Sequence, residues 1–299
     1  MNGVINVYKE AGFTSHDVVA KLRGIVKQKK IGHTGTLDPD AEGVLPVCLG
    51  NATKLCGLLT EKEKTYRAVL LLGQTTDTQD TSGRVLTEAP VTATGEQVRE
   101  AIMSFLGDYD QALKVNGKKL YELAREGKEV ERQARRVRIL DMEIHEIRLP
   151  EVTFTVTCSS GTYIRTLCQD IGEKLGCGGC MKSLLRTKVD RFELADSHKL
   201  SELEAMMHEG RIEEVLLPVD DVFAACPAVC IRQESDRLIQ NGNPFGKEDI
   251  AETTGECPPE GTELERNCVR VYNSEGDFRG LYRREQGGRR YKPEKMFLS

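Results

Sequence analysis

Residues 31–43 read Ile-Gly-His-Thr-Gly-Thr-Leu-Asp-Pro-Asp-Ala-Glu-Gly. Three glycines, a proline, a histidine and three carboxylates share thirteen positions. Glycine admits backbone conformations that other residues resist, and proline fixes one dihedral and removes a donor. Neither a helix nor an uninterrupted strand can run the length of such a stretch, so it must be a shaped loop between the apolar runs Val18–Val26 and Val44–Leu49. A loop of this composition gives up conformational entropy while burying little apolar surface, which is the pattern of a functional element. Asp38, at its centre, is where a single reactive carboxylate would sit.

The chain of 299 residues is long enough for one large domain, or for a medium domain with a small one. Apolar content of 39%, charged content of 30% and the absence of Trp fit an ordinary globular chain. No apolar run approaches the roughly 20 residues that cross a bilayer, and Met1–Gly12 lacks the basic and apolar regions of a secretory signal. A cytoplasmic protein with no membrane partner is expected. Of ten cysteines, Cys177 and Cys180 form a CxxC. A second such pair is missing and the five histidines do not pair with the first, so buried thiols are expected and no metal.

The net charge of −5 argues against a general nucleic-acid binder, but its distribution argues for one. Lys114–Arg138 holds nine Lys/Arg against four Glu, Arg279–Lys295 seven against two, and Lys21–Lys30 five with no acid. Glu202–Glu265 is strongly acidic and offsets them. Solvated helix faces would account for any one stretch; three together suit a polyanion footprint.

Along the chain, Thr14–Asp17 reads as a capping box opening a helix through Val26, closed by the basic Lys27–Lys30. Thr65–Gly73 reads as a strand, Thr75–Gly83 as a polar loop, and Val98–Leu106 as a helix stopped by Gly107. Leu120–Gly127 reads as a short helix and Val137–Ile147 as a mostly alternating segment. In Glu151–Cys158, Val152, Phe154 and Val156 alternate with polar residues, the mark of a strand. Ser159-Ser160-Gly161 turns it into a helix over Tyr163–Gly176, with a further short helix near Leu203–Met207. After Pro227 a short helix (Arg232–Gln240), an acidic Gly/Pro-rich loop (Glu248–Gly261) and two strands (Cys268–Tyr272, Asp277–Arg283) read as a small β-rich module.

Tyr163 and Arg165 open the helix that follows the second strand. Arg165 can hold a carboxylate, with Asp38 as the candidate partner, and an Arg neighbour favours the ionised form, which suits a nucleophile better than a general acid. Tyr66 and Tyr163 are candidates for stacking on a base. A surface ion pair and two buried rings are the ordinary alternatives. The loop matches neither the P-loop nor the GxGxxG spacing, and His33, lone in a loop, is weak as a metal ligand or base.

Four segments together carry a family resemblance. Gly32-His33-Thr34-Gly35-Thr36-Leu37-Asp38-Pro39-x-Ala41-x-Gly43, Lys64-Thr65-Tyr66, Gly73-x-x-Thr76-Asp77-Thr78-x-Asp80-x-x-Gly83 and Cys158-Ser159-x-Gly161-Thr162-Tyr163-Ile164-Arg165-Thr166 resemble, in order and spacing, the motifs of the bacterial tRNA pseudouridine-55 synthases, the TruB family. The resemblance implies an α+β chain. Residues 1–226 would form a pseudouridine synthase domain, a large mixed, mainly antiparallel sheet with flanking helices. Residues 227–299 would form a PUA-like RNA-binding domain. It implies isomerisation of one uridine in the T-loop of tRNA, on a base turned out of its stack, by a monomer with no cofactor and no metal, and with the T-arm stem-loop as partner. It assigns Asp38 as nucleophile, Arg165 as the arginine paired with it, and Tyr66 as the ring that stacks on the target base and faces its C5 proton. His33 would help hold the RNA, and Tyr163 and Leu184 would contact substrate. A non-catalytic RNA-binding protein or tRNA-folding chaperone is the alternative, and an aspartate-nucleophile hydrolase fits the basic stretches poorly. Two departures stand out. Lys9-Glu10 replaces the family's Lys-Pro. Asp108-Tyr109-Asp110-Gln111 runs directly into Ala112-Leu113-Lys114, several residues short of the family's Pro-Pro-x-Tyr-Ser-Ala-like stretch, so a backbone break or abrupt shortcut is expected at Gln111–Ala112.

Overall fold

A computed structural model describes residues 1–112, 134–256, 267–285 and 289–297. The helix expected at Leu120–Gly127, most of the basic stretch Lys114–Arg138 and part of the acidic loop Glu248–Gly261 lie outside the described residues.

The strands up to the end of the first sheet are β1 (Gly3–Lys9), β2 (Ile31–His33), β3 (Glu42–Leu49), β4 (Lys64–Leu72), β5 (Gln74–Thr76), β6 (Val85–Glu88), β7 (Gly107–Ala112), β8 (Ala134–Arg148), β9 (Glu151–Cys158), β10 (Gly179–Val189), β11 (Phe192–Glu193) and β12 (Leu216–Leu217). Ten of them form one sheet, in the order β12-β1-β3-β10-β4-β9-β8-β7, with β2 paired to β3 and β11 to β10. Every pairing is antiparallel except β3–β10, which is parallel. Among the described residues the α-helices are α1 (Ser15–Val26), α2 (Cys56–Thr60), α3 (Gly95–Met103), α4 (Ile164–Lys174), α5 (Leu200–His208) and the short α6 (Asp236–Gln240). The α+β class and the mainly antiparallel sheet agree with the expectation.

Local sequence accounts for the ends of these elements. Thr14 caps α1 by accepting from the Asp17 amide at 3.1 Å, and the Asp17 carboxylate accepts from the Thr14 amide at 2.9 Å. Lys27, in the left-handed region, ends it. Thr94 and Gln97 form the same box at α3. The alternation of β9 is realised in full, with Val152, Phe154, Val156 and Cys158 buried. Helix α4 lays Ile164, Leu167, Cys168 and Ile171 on Phe154, Val156 and Leu70, each aliphatic side chain contributing about 1.5–3 kcal/mol by burial. A second core joins α1 and α5 to β1 and β3 through Leu22, Leu45, Val47 and Leu203.

The polar segment Thr75–Gly83 is only partly a loop, because Gln74–Thr76 pairs with Val85–Glu88 as a hairpin. The break expected at Gln111–Ala112 is corrected by the structure. Strand β7 runs straight through both residues, which pair with Arg135 and Ala134 across a regular ladder. Ladder hydrogen bonds take up the backbone there, so the chain needs no shortcut at that point.

From Ala228 onward a second sheet forms, with β13 (Ala228–Ile231), β14 (Phe245–Gly246), β15 (Ile250–Thr254), β16 (Cys268–Tyr272), β17 (Phe278–Arg284) and β18 (Arg290–Met296) in the order β14-β18-β17-β16-β13-β15. It docks on the first sheet through a shared apolar cluster in which Phe278, Leu281 and Phe297 meet Val44, Cys48 and Leu55. Lys54 adds a hydrogen bond to the Met296 carbonyl at 2.9 Å. Among the described residues no helix is long and apolar enough to cross a membrane.

Candidate active site

The Asp38 loop leaves β2 at His33 and returns as β3 at Glu42, and buried groups beneath it hold its course. Ser15, fully buried at the start of α1, accepts from the Leu37 amide at 2.9 Å. Lys9, also fully buried, donates to the carbonyls of Ala41 at 2.5 Å, Pro39 at 2.9 Å and Glu10 at 3.2 Å. Glu10 faces Lys199 at 3.5 Å. The Ala41 amide returns to the Asp38 carbonyl at 3.1 Å and closes the turn. The loop ends at Gly43, whose φ of +108° lies in the left-handed region and which pairs in parallel with Arg186 of β10. The loop is therefore shaped by inward-facing carbonyls on buried donors, which frees the Asp38 side chain to face outward.

Asp38 meets Arg165 across 127 residues of sequence, with Nη1 3.2 Å from Oδ2. Both side chains stay partly exposed, 39% for Asp38 and 25% for Arg165. A pair this open adds little stability, and its consequence is orientation of the carboxylate. Arg165 also lies over the Tyr163 ring, 5.6 Å from its centroid.

These residues line one cavity of about 630 Å³, together with Tyr66, Leu184, Lys64 and Arg186. That volume lies within the range of small-ligand sites. Tyr66, in β4, is buried at the floor, while Tyr163 is 44% exposed. Burial pushes the Tyr66 phenol above its ordinary value, and Arg186 opposes the shift. Lys64 gives its ammonium to the carbonyls of Lys62 at 2.6 Å and Thr60 at 2.8 Å, and burial, then Arg186, bring it down to about 8.

Of the expected residues, the structure brings Asp38, Tyr66, Arg165, Tyr163 and Leu184 together. His33 stands apart from the lining. Its ring packs edge-on against His16, 5.2 Å between centroids, and its Nδ1 accepts from the Gly35 amide at 3.3 Å. Burial and then His16 lower its pKa.

Sequence reasoning missed three residues that shape the site. Gln111, wholly buried, brackets the Tyr163 backbone, accepting from its amide at 2.7 Å and donating to its carbonyl at 2.9 Å, and also bonds the Tyr109 hydroxyl. This pins the N-cap residue of α4, which makes no side-chain cap of its own. Arg186 is 1% exposed and lies under the loop. Arg135 of β8 lies over Gly161 at the cavity's edge. Arg135 falls in the basic stretch Lys114–Arg138, whose composition pointed to a polyanion without singling it out; nothing local marked the roles of Gln111 and Arg186, since each acts through neighbours remote in the chain.

Comparison with known proteins follows the same lines. Residues 23–164 match the model of the TruB family pseudouridylate synthase N-terminal domain, and residues 165–224 that of the tRNA pseudouridylate synthase B C-terminal domain. The chain is 52% identical to the tRNA pseudouridine synthase B of Lachnoclostridium phytofermentans, with 100% of both chains covered. It is 44% identical to that of Alkaliphilus oremlandii, with 97% of this chain and 96% of that one covered. Its fold matches a chain of an H/ACA ribonucleoprotein bound to a substrate RNA containing 2′-deoxyuridine, at a TM-score of 0.73 and 25% identity over 99% of this chain and 85% of that one. A chain of the archaeal box H/ACA Nop10–Cbf5 complex matches at 0.72 and 25%, covering 99% and 86%. The chain belongs to the TruB family of pseudouridylate synthases.

Proposed function

We propose that this protein converts a uridine in the T-loop of tRNA to pseudouridine, with Asp38 as the nucleophile. The observation that carries the reading is the Asp38–Arg165 pair, at 3.2 Å, in one cavity with the buried Tyr66. A surface that only binds RNA needs no such set. The target base must leave its stack to reach Asp38, and Tyr66, Tyr163 and Leu184 offer the aromatic and apolar walls that replace the lost stacking. Asp38 assists cleavage of the bond between N1 and the ribose C1′. The uracil turns, C5 bonds to C1′, the C5 hydrogen leaves as a proton toward Tyr66, and N1 takes one up, so the product is an isomer of the substrate. His33 helps hold the RNA beside the cavity. Residues 1–226 carry the reaction and residues 227–299 act as a PUA-like RNA-binding module, in a cytoplasmic monomer that uses no metal.

The test is tritium release from a T-arm stem-loop transcript carrying 5-tritiated uridine, with pseudouridine identified in the digested product. Tight binding without release would leave the chaperone reading in place. Arg135 supplies a separate check. It is exposed, has no carboxylate partner among the described residues, and lies at the cavity's edge, whereas Arg136 and Arg138 face Asp108 at 3.3 and 3.7 Å. As a phosphate contact, Arg135→Ala should weaken stem-loop binding and lower the slope of log affinity against log salt by about 1. An unchanged slope in a salt titration would remove Arg135 from the footprint.

A further inference from the structure

Arg186 is the largest fully buried side chain among the described residues, and no carboxylate pairs with it there. A buried guanidinium without a counter-charge is costly, so what it touches matters. Nε donates to the Val44 carbonyl at 2.7 Å, Nη2 to Gly35 at 3.4 Å and Nη1 to Thr36 at 3.5 Å. These carbonyls flank the Asp38 loop on both sides. Arg186 also stands directly opposite Tyr66 across the β10–β4 ladder, and its charge acts on the buried phenol. Gly35, Thr36, Tyr66 and Arg186 all line the cavity. One planar fork thus holds the loop that carries the carboxylate, from the strand position opposite the tyrosine.

We propose that Arg186 is a positioning residue for the isomerisation, holding the Asp38 loop and the Tyr66 hydroxyl in one frame so that the two groups meet the target base from fixed places. The inference rests on the functional reading above. The arginine acts through Tyr66 and the loop and need not touch RNA. Its charge also favours the deprotonated phenol, the form able to take a proton from C5. The groups facing Tyr66 are Arg186 from β10, Cys158 from β9 and Asp38 from the loop. Those facing Arg186, besides Tyr66, are the cationic or titratable Lys9, His33 and Lys64. Of these only Arg186 changes in the variants below.

The experiment compares wild type, Arg186→Lys, Arg186→Gln, Tyr66→Phe and Arg186→Lys/Tyr66→Phe on the T-arm transcript, with kcat and KM separated, kcat followed from pH 6 to 10, and folded fraction read by thermal melting. In Arg186→Gln, kcat per folded molecule should fall about 100-fold, KM should stay within about threefold, and the deficit should be similar at every pH from 6 to 10, because burial already holds the phenol above its ordinary value. Arg186→Lys keeps the charge but not the fork, so it should recover only part of kcat. In the Tyr66→Phe background, Arg186→Lys should cost less than it does in wild type, the non-additivity of groups that act together. Wild-type kcat in Arg186→Gln would overturn the proposal. So would fully additive losses in the double variant, which is the deciding measurement if Arg186→Gln does not fold. Absence of turnover by wild type would defeat the functional reading and this inference with it, whereas wild-type turnover with an unaltered Arg186→Gln would defeat this inference alone.

Discussion

Asp38→Ala is expected to abolish pseudouridine formation, with a loss on the order of 10⁴-fold or more in kcat, as for other single nucleophiles, while stem-loop affinity stays within a few-fold of wild type. The carboxylate is partly exposed and, among the described residues, its hydrogen bond is to Arg165, while the turn bond to Ala41 uses the Asp38 main-chain carbonyl and survives the substitution. Its removal leaves the scaffold of Lys9, Ser15 and Arg186 intact. The melting temperature should therefore move little, and circular dichroism should not change. Single-turnover assays on the T-arm transcript with excess protein separate the two effects. Turnover comparable to wild type would remove Asp38 from the mechanism. Loss of binding in parallel with turnover would recast it as a substrate contact.

Gly43→Ala should produce the largest loss of stability in the site. Two independent costs fall on that position. Its φ of +108° is strained for any L side chain. A Cβ there would also drive into the Arg186 backbone, 3.0 Å from both its carbonyl carbon and its amide nitrogen and closer still to its oxygen. The neighbour is the parallel β3–β10 ladder, which cannot yield as a flexible side chain would. Strain and overpacking together suggest about 3–5 kcal/mol, or a fall of roughly 10 °C in melting temperature. Gly12→Ala is the control. Its φ is +83°, yet nothing lies within 4 Å of the added carbon, so only the backbone term of about 1–2 kcal/mol applies. Chemical denaturation of both variants checks the contrast, and equal losses would show that the β3–β10 contact is not what Gly43 protects.

Local chemistry made much of the fold legible. The Thr14–Asp17 capping box, the alternation of β9 and the apolar face of α4 each rest on interactions within a few residues, and each appears where the pattern placed it. Strand β10 was not legible. It lies at the centre of the sheet between β3 and β4, and register shifts after Met181 and Arg186 break its alternation. Its buried and exposed positions therefore follow no period of two. The hairpin whose strands bracket Thr75–Gly83 was missed for a related reason, since those strands are short and largely polar.

The sequence by itself determined which groups were available. Asp38 lay on a loop too rich in glycine and proline to be anything else, Arg165 stood at a helix start, and the motifs around both marked the family. Only the tertiary structure decided what those groups face. The 3.2 Å pairing across 127 residues, the Gln111 bracket on Tyr163 and the buried Arg186 beneath the loop are all products of sheet order. The physical reason is that propensity, capping and alternation act over one or two turns of chain. The geometry of the site depends instead on which strands become neighbours, and that is settled by burial across the whole sheet.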